Sequence, residues 1–177
     1  MKKILSLLIV SLFVLTATSS IGQSSQANRP SPLTKVTETL NSGATVTIVY
    51  SQPSVKGRTI GKDLEPLNGK IWRTGANEAT VFKTDKEIKV NGSVLPAGKF
   101  ALFSIVTDNN WTIIFNAVSD QWGAFNYKEA KDVLRVKAIA TKTSDSFSEK
   151  LTFEINKNGA VNLFWVILKW SFYCNSF

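Results

Sequence analysis

The densest chemistry in this chain lies in KIWRTGANEAT, residues 70–80, where Trp72, Arg73, Asn77 and Glu78 crowd into seven residues around Gly75. The arginine is informative because arginine is scarce: four stand against seventeen lysines. A planar guanidinium grips a carboxylate or a hydroxyl-bearing ligand through a rigid fork, which an ammonium cannot do. Arg29 lies near the N-terminus, while Arg58, Arg73 and Arg135 sit in or beside the segments SVKGRTIG, WRTGANEAT and DVLRV. These guanidiniums are expected to make ordered contacts. The partners could be internal, to Glu78 or Asp132, or external, to an anionic or hydroxyl-rich ligand.

Two readings of residues 70–80 stand side by side. In the first, the loop holds itself: Thr74 and Asn77 bond to local backbone, Trp72 plugs into the core, and the polar groups satisfy a long irregular segment. In the second, Arg73, Asn77 and Glu78 line a ligand pocket. A braced loop is also a good platform for a site, so the two overlap. Trp122, in QWGAF, could cover the core or offer a flat wall to a sugar ring.

Much enzymology is excluded. Histidine is absent and Cys174 is the lone cysteine. There is no Ser-His-Asp or Cys-His machinery, no His-ligated zinc and no internal disulfide. Hydrolysis would need two carboxylates about 5–10 Å apart, and Glu78 with Asp132 is the best pair. Asp108 and Asp120 lack the spaced ligands of an EF-hand, and the glycines fit neither a P-loop nor a dinucleotide fingerprint. No catalytic residue, metal or cofactor is assigned.

The elements that must position these residues are strands. TKVTETLNSGATVTIVYS carries alternating segments on either side of Asn41-Ser42-Gly43, a hairpin pattern that puts Val46, Ile48 and Tyr50 on one face. TVFKT, EIKVNG, GKFALFSIVT, WTIIFN, VLRVKAIAT, KLTFEIN and AVNLFWVILKWSF read as further strands, with Asn91-Gly92 a tight-turn signal. Two stretches, residues 52–79 and 117–132, have no sustained period. The expectation is an all-β chain, a single antiparallel β-sandwich-like domain of about nine short strands with two long irregular loops; a barrel is the open alternative. The last strand, from about Phe164, is unusual in being apolar on both faces.

The N-terminus reads as an export signal. Lys2 and Lys3 precede an apolar run from Ile4 to Val14, then small residues, with cleavage expected after Gly22. The run is shorter than the roughly 20 residues of a membrane span, so no stable membrane insertion is expected after cleavage. Residues 1–22 are thus expected to be a signal peptide, 23–34 a flexible leader and 35–177 the β-rich domain, placed in the periplasm or secreted. The formal charge of +8 is spread along the chain without a basic run, so nucleic acid is not an expected partner.

Seven ordered segments carry a resemblance: RPSP (29–32), VTIVYSQPSVKGRTIG (46–61), KIWRTGANEAT (70–80), LPAGKFALFSI (95–105), WTIIFN (111–116), QWGA (121–124) and KDVLRV (131–136). Together they resemble the bacterial family called domain of unknown function 2911, typical of exported proteins of Gram-negative bacteria. The resemblance implies one β-rich domain and transfers no reaction. The apolar end, FWVILKWSFYCNSF, departs from the family pattern.

The leading functional expectation is a non-catalytic binding module for a small polar or carbohydrate-like ligand, or for an envelope partner. Arg73, Asn77 and Glu78 would supply directional bonds, Arg58, Arg135 and Asp132 charge or bracing, and Trp122 an apolar wall. The alternatives are a carboxylate-dependent hydrolase using Glu78 and Asp132, and a purely structural envelope protein.

Overall fold

A computed structural model describes residues 29–142 and 147–175. The expected signal peptide, residues 1–22, and the start of the expected leader lie outside the described residues. The described residues form twelve strands, beginning with β1 (Leu33–Thr39), β2 (Thr45–Ser51), β3 (Ile71–Trp72), β4 (Ala76–Thr84), β5 (Ile88–Val90) and β6 (Ser93–Leu95). The others are β7 (Gly98–Thr107), β8 (Asn110–Asn116), β9 (Asp132–Lys142), β10 (Ser148–Ile155), β11 (Ala160–Val166) and β12 (Leu168–Asn175). The described residues contain no α-helix, only the single 3-10 turn Glu129–Lys131.

Alternation explains most strands. In β2 the β-branched and aromatic side chains Val46, Ile48 and Tyr50 are buried on one face. The other face carries threonines, whose hydroxyls pair across to β1: Thr47 with Thr37 at 3.0 Å and Thr45 with Thr39 at 3.3 Å. Asn91 and Gly92, both at positive φ, make the two-residue turn between β5 and β6 that their types demand.

The named strands pair antiparallel, nine of them in the order β1-β2-β4-β7-β8-β9-β12-β11-β10, with β3 on β7, β5 on β12 and β6 on β5. The expected two-sheet sandwich gives way to this one sheet, rolled nearly closed into a barrel. β9 is the corner: Asp132–Ala138 pairs with β8, and Ile139–Lys142 with β12. The roll approaches closure where residues 53–55 run beside β10, with Val55 N donating to Glu149 O at 2.9 Å and Leu151 N to Pro53 O at 3.1 Å. The barrel encloses an aromatic core in which Phe82 meets Phe115 edge-on at 5.0 Å and Trp170 stacks on Phe172 at 6.0 Å.

Two segments that read as apolar on both faces do so for two different reasons. In β7, Phe100 and Leu102 face the barrel core, while Ala101 and Phe103 join a second cluster with Ala79 and Ile114. The irregular segment 117–131 covers that outer cluster, and Tyr127 packs edge-on to Phe103 at 5.0 Å. The C-terminal run is not one strand but two. A turn at Val166-Ile167 folds β12 back on β11, pairing Trp165 with Leu168. Each half then alternates, with Val161, Leu163 and Trp165, and Trp170, Phe172 and Cys174, pointing inward. Val166 sits at φ 57°, a strained conformation for a β-branched residue.

β1 begins at Leu33, within residues 23–34, and Gln52 N donates to Pro32 O at 2.9 Å.

Candidate functional site

Residues 72–80 are held by their own backbone and small polar groups. Trp72 is buried, and its indole Nε1 donates to Gly75 O at 3.1 Å. Thr74 is buried at φ 54°, its hydroxyl 3.0 Å from Ser104 Oγ. The Thr80 hydroxyl donates to Thr74 O at 2.9 Å, and Thr80 N to Arg73 O at 3.2 Å. Gly75 is required by space: a Cβ there would stand 2.9 Å from Thr80 Oγ1 and 3.2 Å from Ser51 O. The scaffold therefore uses Trp72, Thr74, Gly75 and Thr80, and it leaves the remaining polar side chains of the motif for other work.

Arg73 points away from this scaffold into a cleft of about 170 Å³. Arg58, Asp63, Glu65 and Ser31 line it, over an apolar floor that includes Trp72 and Trp165. Arg73 pairs with neither Glu78 nor Asp132. Its Nε is buried with no hydrogen-bond partner among the described residues. Burial lowers the pKa of its guanidinium from the ordinary value, against the opposing charge of Glu65. Arg58 is different: its Nε donates to Val55 O at 3.0 Å and its Nη2 to Ser54 O at 2.6 Å, so it braces the loop. Asp63 accepts from Thr59 N at 2.6 Å, and Glu65 from Leu67 N at 2.9 Å. Each of these contacts fixes one carboxylate oxygen at the cleft.

Asn77 and Glu78 face a second place, where the two irregular segments zip together. Gly123 N donates to Asn77 O at 3.0 Å and Ala79 N to Gln121 O at 3.0 Å, and Glu78 bridges to Trp122. This sets the Glu78 carboxylate beside the half-exposed Trp122 ring. Arg29 occupies that spot: its Nη1 lies 2.5 Å from Glu78 Oε1, and its guanidinium carbon 5.9 Å from the Trp122 ring centre. Ser51 Oγ donates to Glu78 Oε2 at 3.2 Å, and Asn77 Nδ2 to Ser31 O at 3.1 Å. Burial would raise the Glu78 pKa, but the hydrogen bonds from Arg29, its own backbone and Ser51, with the Arg29 charge, hold it below the ordinary value.

Asp132 and Arg135 form a third group. The Asp132 side chain is only 8% exposed. It accepts from Asn116 Nδ2 at 2.7 Å, Tyr127 Oη at 2.6 Å and Arg135 Nε at 2.7 Å. Arg135 Nη2 also donates to Tyr127 Oη at 2.7 Å and pairs with Glu129 at 3.2 Å. Burial, then the Asp132 carboxylate that accepts its proton, push the Tyr127 hydroxyl up to about 12. The Arg135 pKa is raised: burial opposes, but the bonds to Asp132 and Tyr127 prevail. This network pins the second irregular segment onto the sheet. Glu78 and Asp132 belong to separate groups of contacts. Each carboxylate is held by its own arginine, and the cavity of about 330 Å³ beside Glu78 is lined by Ser51, Lys99, Asp120 and Gln121, not by Asp132.

A family model described as protein of unknown function (DUF2911) matches residues 31–173. The chain belongs to the DUF2911 family. No curated protein and no solved structure matches it. The match takes in the Arg73 cleft, the Asn77–Glu78 corner and the Asp132 network, while Arg29 lies just before it. Sequence reasoning missed Asp63, Glu65, Ser51 and Tyr127 and assigned Arg29 to a leader. Only the rarity of arginine could have drawn attention to Arg29. No cluster of three or more His, Cys, Asp or Glu side chains placed to hold a metal ion occurs among the described residues.

Proposed function

We propose that this DUF2911 protein is an exported, non-catalytic binding module for a small hydroxyl-rich ligand, held in the cleft over Arg73. One observation carries the reading: a half-buried guanidinium, its Nε without a hydrogen-bond partner among the described residues, on a residue that lines a cleft with two carboxylates. Buried donors are normally paired, and an arginine short of one partner that also lines a cleft supports a recognition role for the rest of its guanidinium. The ligand class follows from the mixed charge. Arg73 and Arg58 present donors, whereas Asp63 and Glu65 present acceptors. A hydroxyl uses both, while a plain anion would meet two like charges. The volume, about 170 Å³, is below the roughly 300 Å³ at which drug-sized pockets begin, so the bound portion is about one sugar ring. The carboxylate-pair hydrolase has less support, because Glu78 and Asp132 are both engaged by arginines.

The test is calorimetric titration of the full chain with monosaccharides, polyols and small carboxylates, comparing wild type with Arg73→Met. A neutral polyol or sugar should bind the wild type and lose at least tenfold in affinity in the variant. Equal binding by Arg73→Met, or no binding by any member of the panel, would remove the proposal.

A further inference from the structure

The corner at Glu78 and Trp122 has the chemistry of a cation receptor, and it is filled by the chain itself. Residues 29–32, Arg-Pro-Ser-Pro, lie along it as a short segment that bends at Pro30 and Ser31 and is fixed at three points. The Arg29 side chain reaches Glu78 and Trp122, the Ser31 carbonyl accepts from Asn77, and the Pro32 carbonyl accepts from Gln52 N. Pro30 and Pro32 have no N–H and a fixed φ, so such a segment is read through its carbonyls and its arginine. The receiving groups are placed without help from the segment. Asn77, at φ 54°, and Glu78 are locked by the backbone bonds between Asn77 and Gly123 and between Ala79 and Gln121, and Ser51 steadies the far oxygen of Glu78.

We propose that this corner is a receptor for an arginine–proline peptide, and that residues 29–32 are its resident intramolecular occupant. Two features favour an exchangeable strap over a permanent brace. The ion pair is partly exposed, 26% on Arg29 and 37% on Glu78, and pairs of that kind hold weakly. The Trp122 ring stays half exposed with Arg29 over it. Since Ser31 also lines the Arg73 cleft, displacing the strap would widen that cleft. The receptor itself stands independently of what the cleft binds.

The probe is the blocked hexapeptide Arg-Pro-Ser-Pro-Leu-Thr, titrated into the full chain by calorimetry. In wild type the tethered strap competes at an effective concentration of about millimolar, so binding should be weak. In Arg29→Ala it should tighten at least tenfold. In Arg29→Ala/Glu78→Gln it should vanish, and a peptide with citrulline for arginine should not bind Arg29→Ala. Equal affinity for wild type and Arg29→Ala, or retention in the double variant, would overturn the proposal. Should Arg29→Ala unfold, millimolar peptide added to wild type must still move the Trp122 indole N–H resonance and fail to do so in Glu78→Gln; no movement in wild type overturns it equally.

Discussion

Replacing Arg73 with methionine should make the protein more stable, and the size of the effect follows from where each nitrogen lies. Methionine keeps the apolar stem against the cleft wall and removes the guanidinium. Leaving a buried donor unpaired costs about 1–3 kcal/mol. Only Nε is both buried and unpaired, so the relief should be near the lower end, about 1 kcal/mol. In a domain of this length that raises Tm by roughly 2–4 °C. Arg58→Met supplies the control. It deletes donors to the Val55 and Ser54 carbonyls, each worth about 0.5–1.5 kcal/mol, and the outward position reduces the total. A fall of about 1 kcal/mol is expected. The assay is urea and thermal unfolding of both variants beside the wild type at one pH and salt concentration. Opposite signs would show that two neighbouring arginines of one cleft do different work. Should Arg73→Met lose as much as Arg58→Met, Arg73 is a brace, and the orphaned donor no longer supports a ligand.

Three further outcomes are expected. Asp132→Ala strands Asn116, Tyr127 and Arg135 together, and losing the acceptor of a part-buried network of this kind costs about 1–3 kcal/mol; a urea midpoint near wild type would show that the network does not pin the second segment. Gly75→Ala places a Cβ against Thr80 Oγ1 and Ser51 O, so thermal unfolding should show a loss of about 1–3 kcal/mol, and unchanged stability would mean the turn has room to shift. Alkaline pH should destabilise the fold. Burial raises the Cys174 thiol from 9.0 to about 12, and burial with Asp132 raises Tyr127 from 10.0 to about 12. The folded chain therefore keeps protons that the unfolded chain releases, so their contribution is whole below pH 9 and is lost as pH climbs from about 9 to about 12. Urea midpoints across that range should fall for wild type and fall less for Cys174→Val/Tyr127→Phe; parallel curves would assign the loss to other groups.

What the sequence made legible follows a simple division. Whatever depends on period two was readable, because a strand with one buried face announces that face directly. Val46, Ile48 and Tyr50 point inward as expected. The double-sided apolarity of β7 was also readable, although not what would cover its outer face. The turn at Val166-Ile167 was hidden because it uses neither glycine nor asparagine. Two strands thus read as one, and an ordinary alternation read as apolarity on both faces. Charge pairing was the least legible. Glu78 meets Arg29 across 49 positions, and no local rule selects that arginine over Arg73, five residues away. The same long-range choice decides how the opening motif is used. Once Trp72, Thr74, Gly75 and Thr80 have satisfied the backbone, Glu78 is taken by the N-terminal segment and Asp132 by Arg135. Arg73 is then left without an acceptor for its buried nitrogen among the described residues. Bracing the loop and lining the cleft are therefore not rival descriptions of residues 70–80: the residues that close the loop on itself are the ones that leave Arg73 facing the cleft.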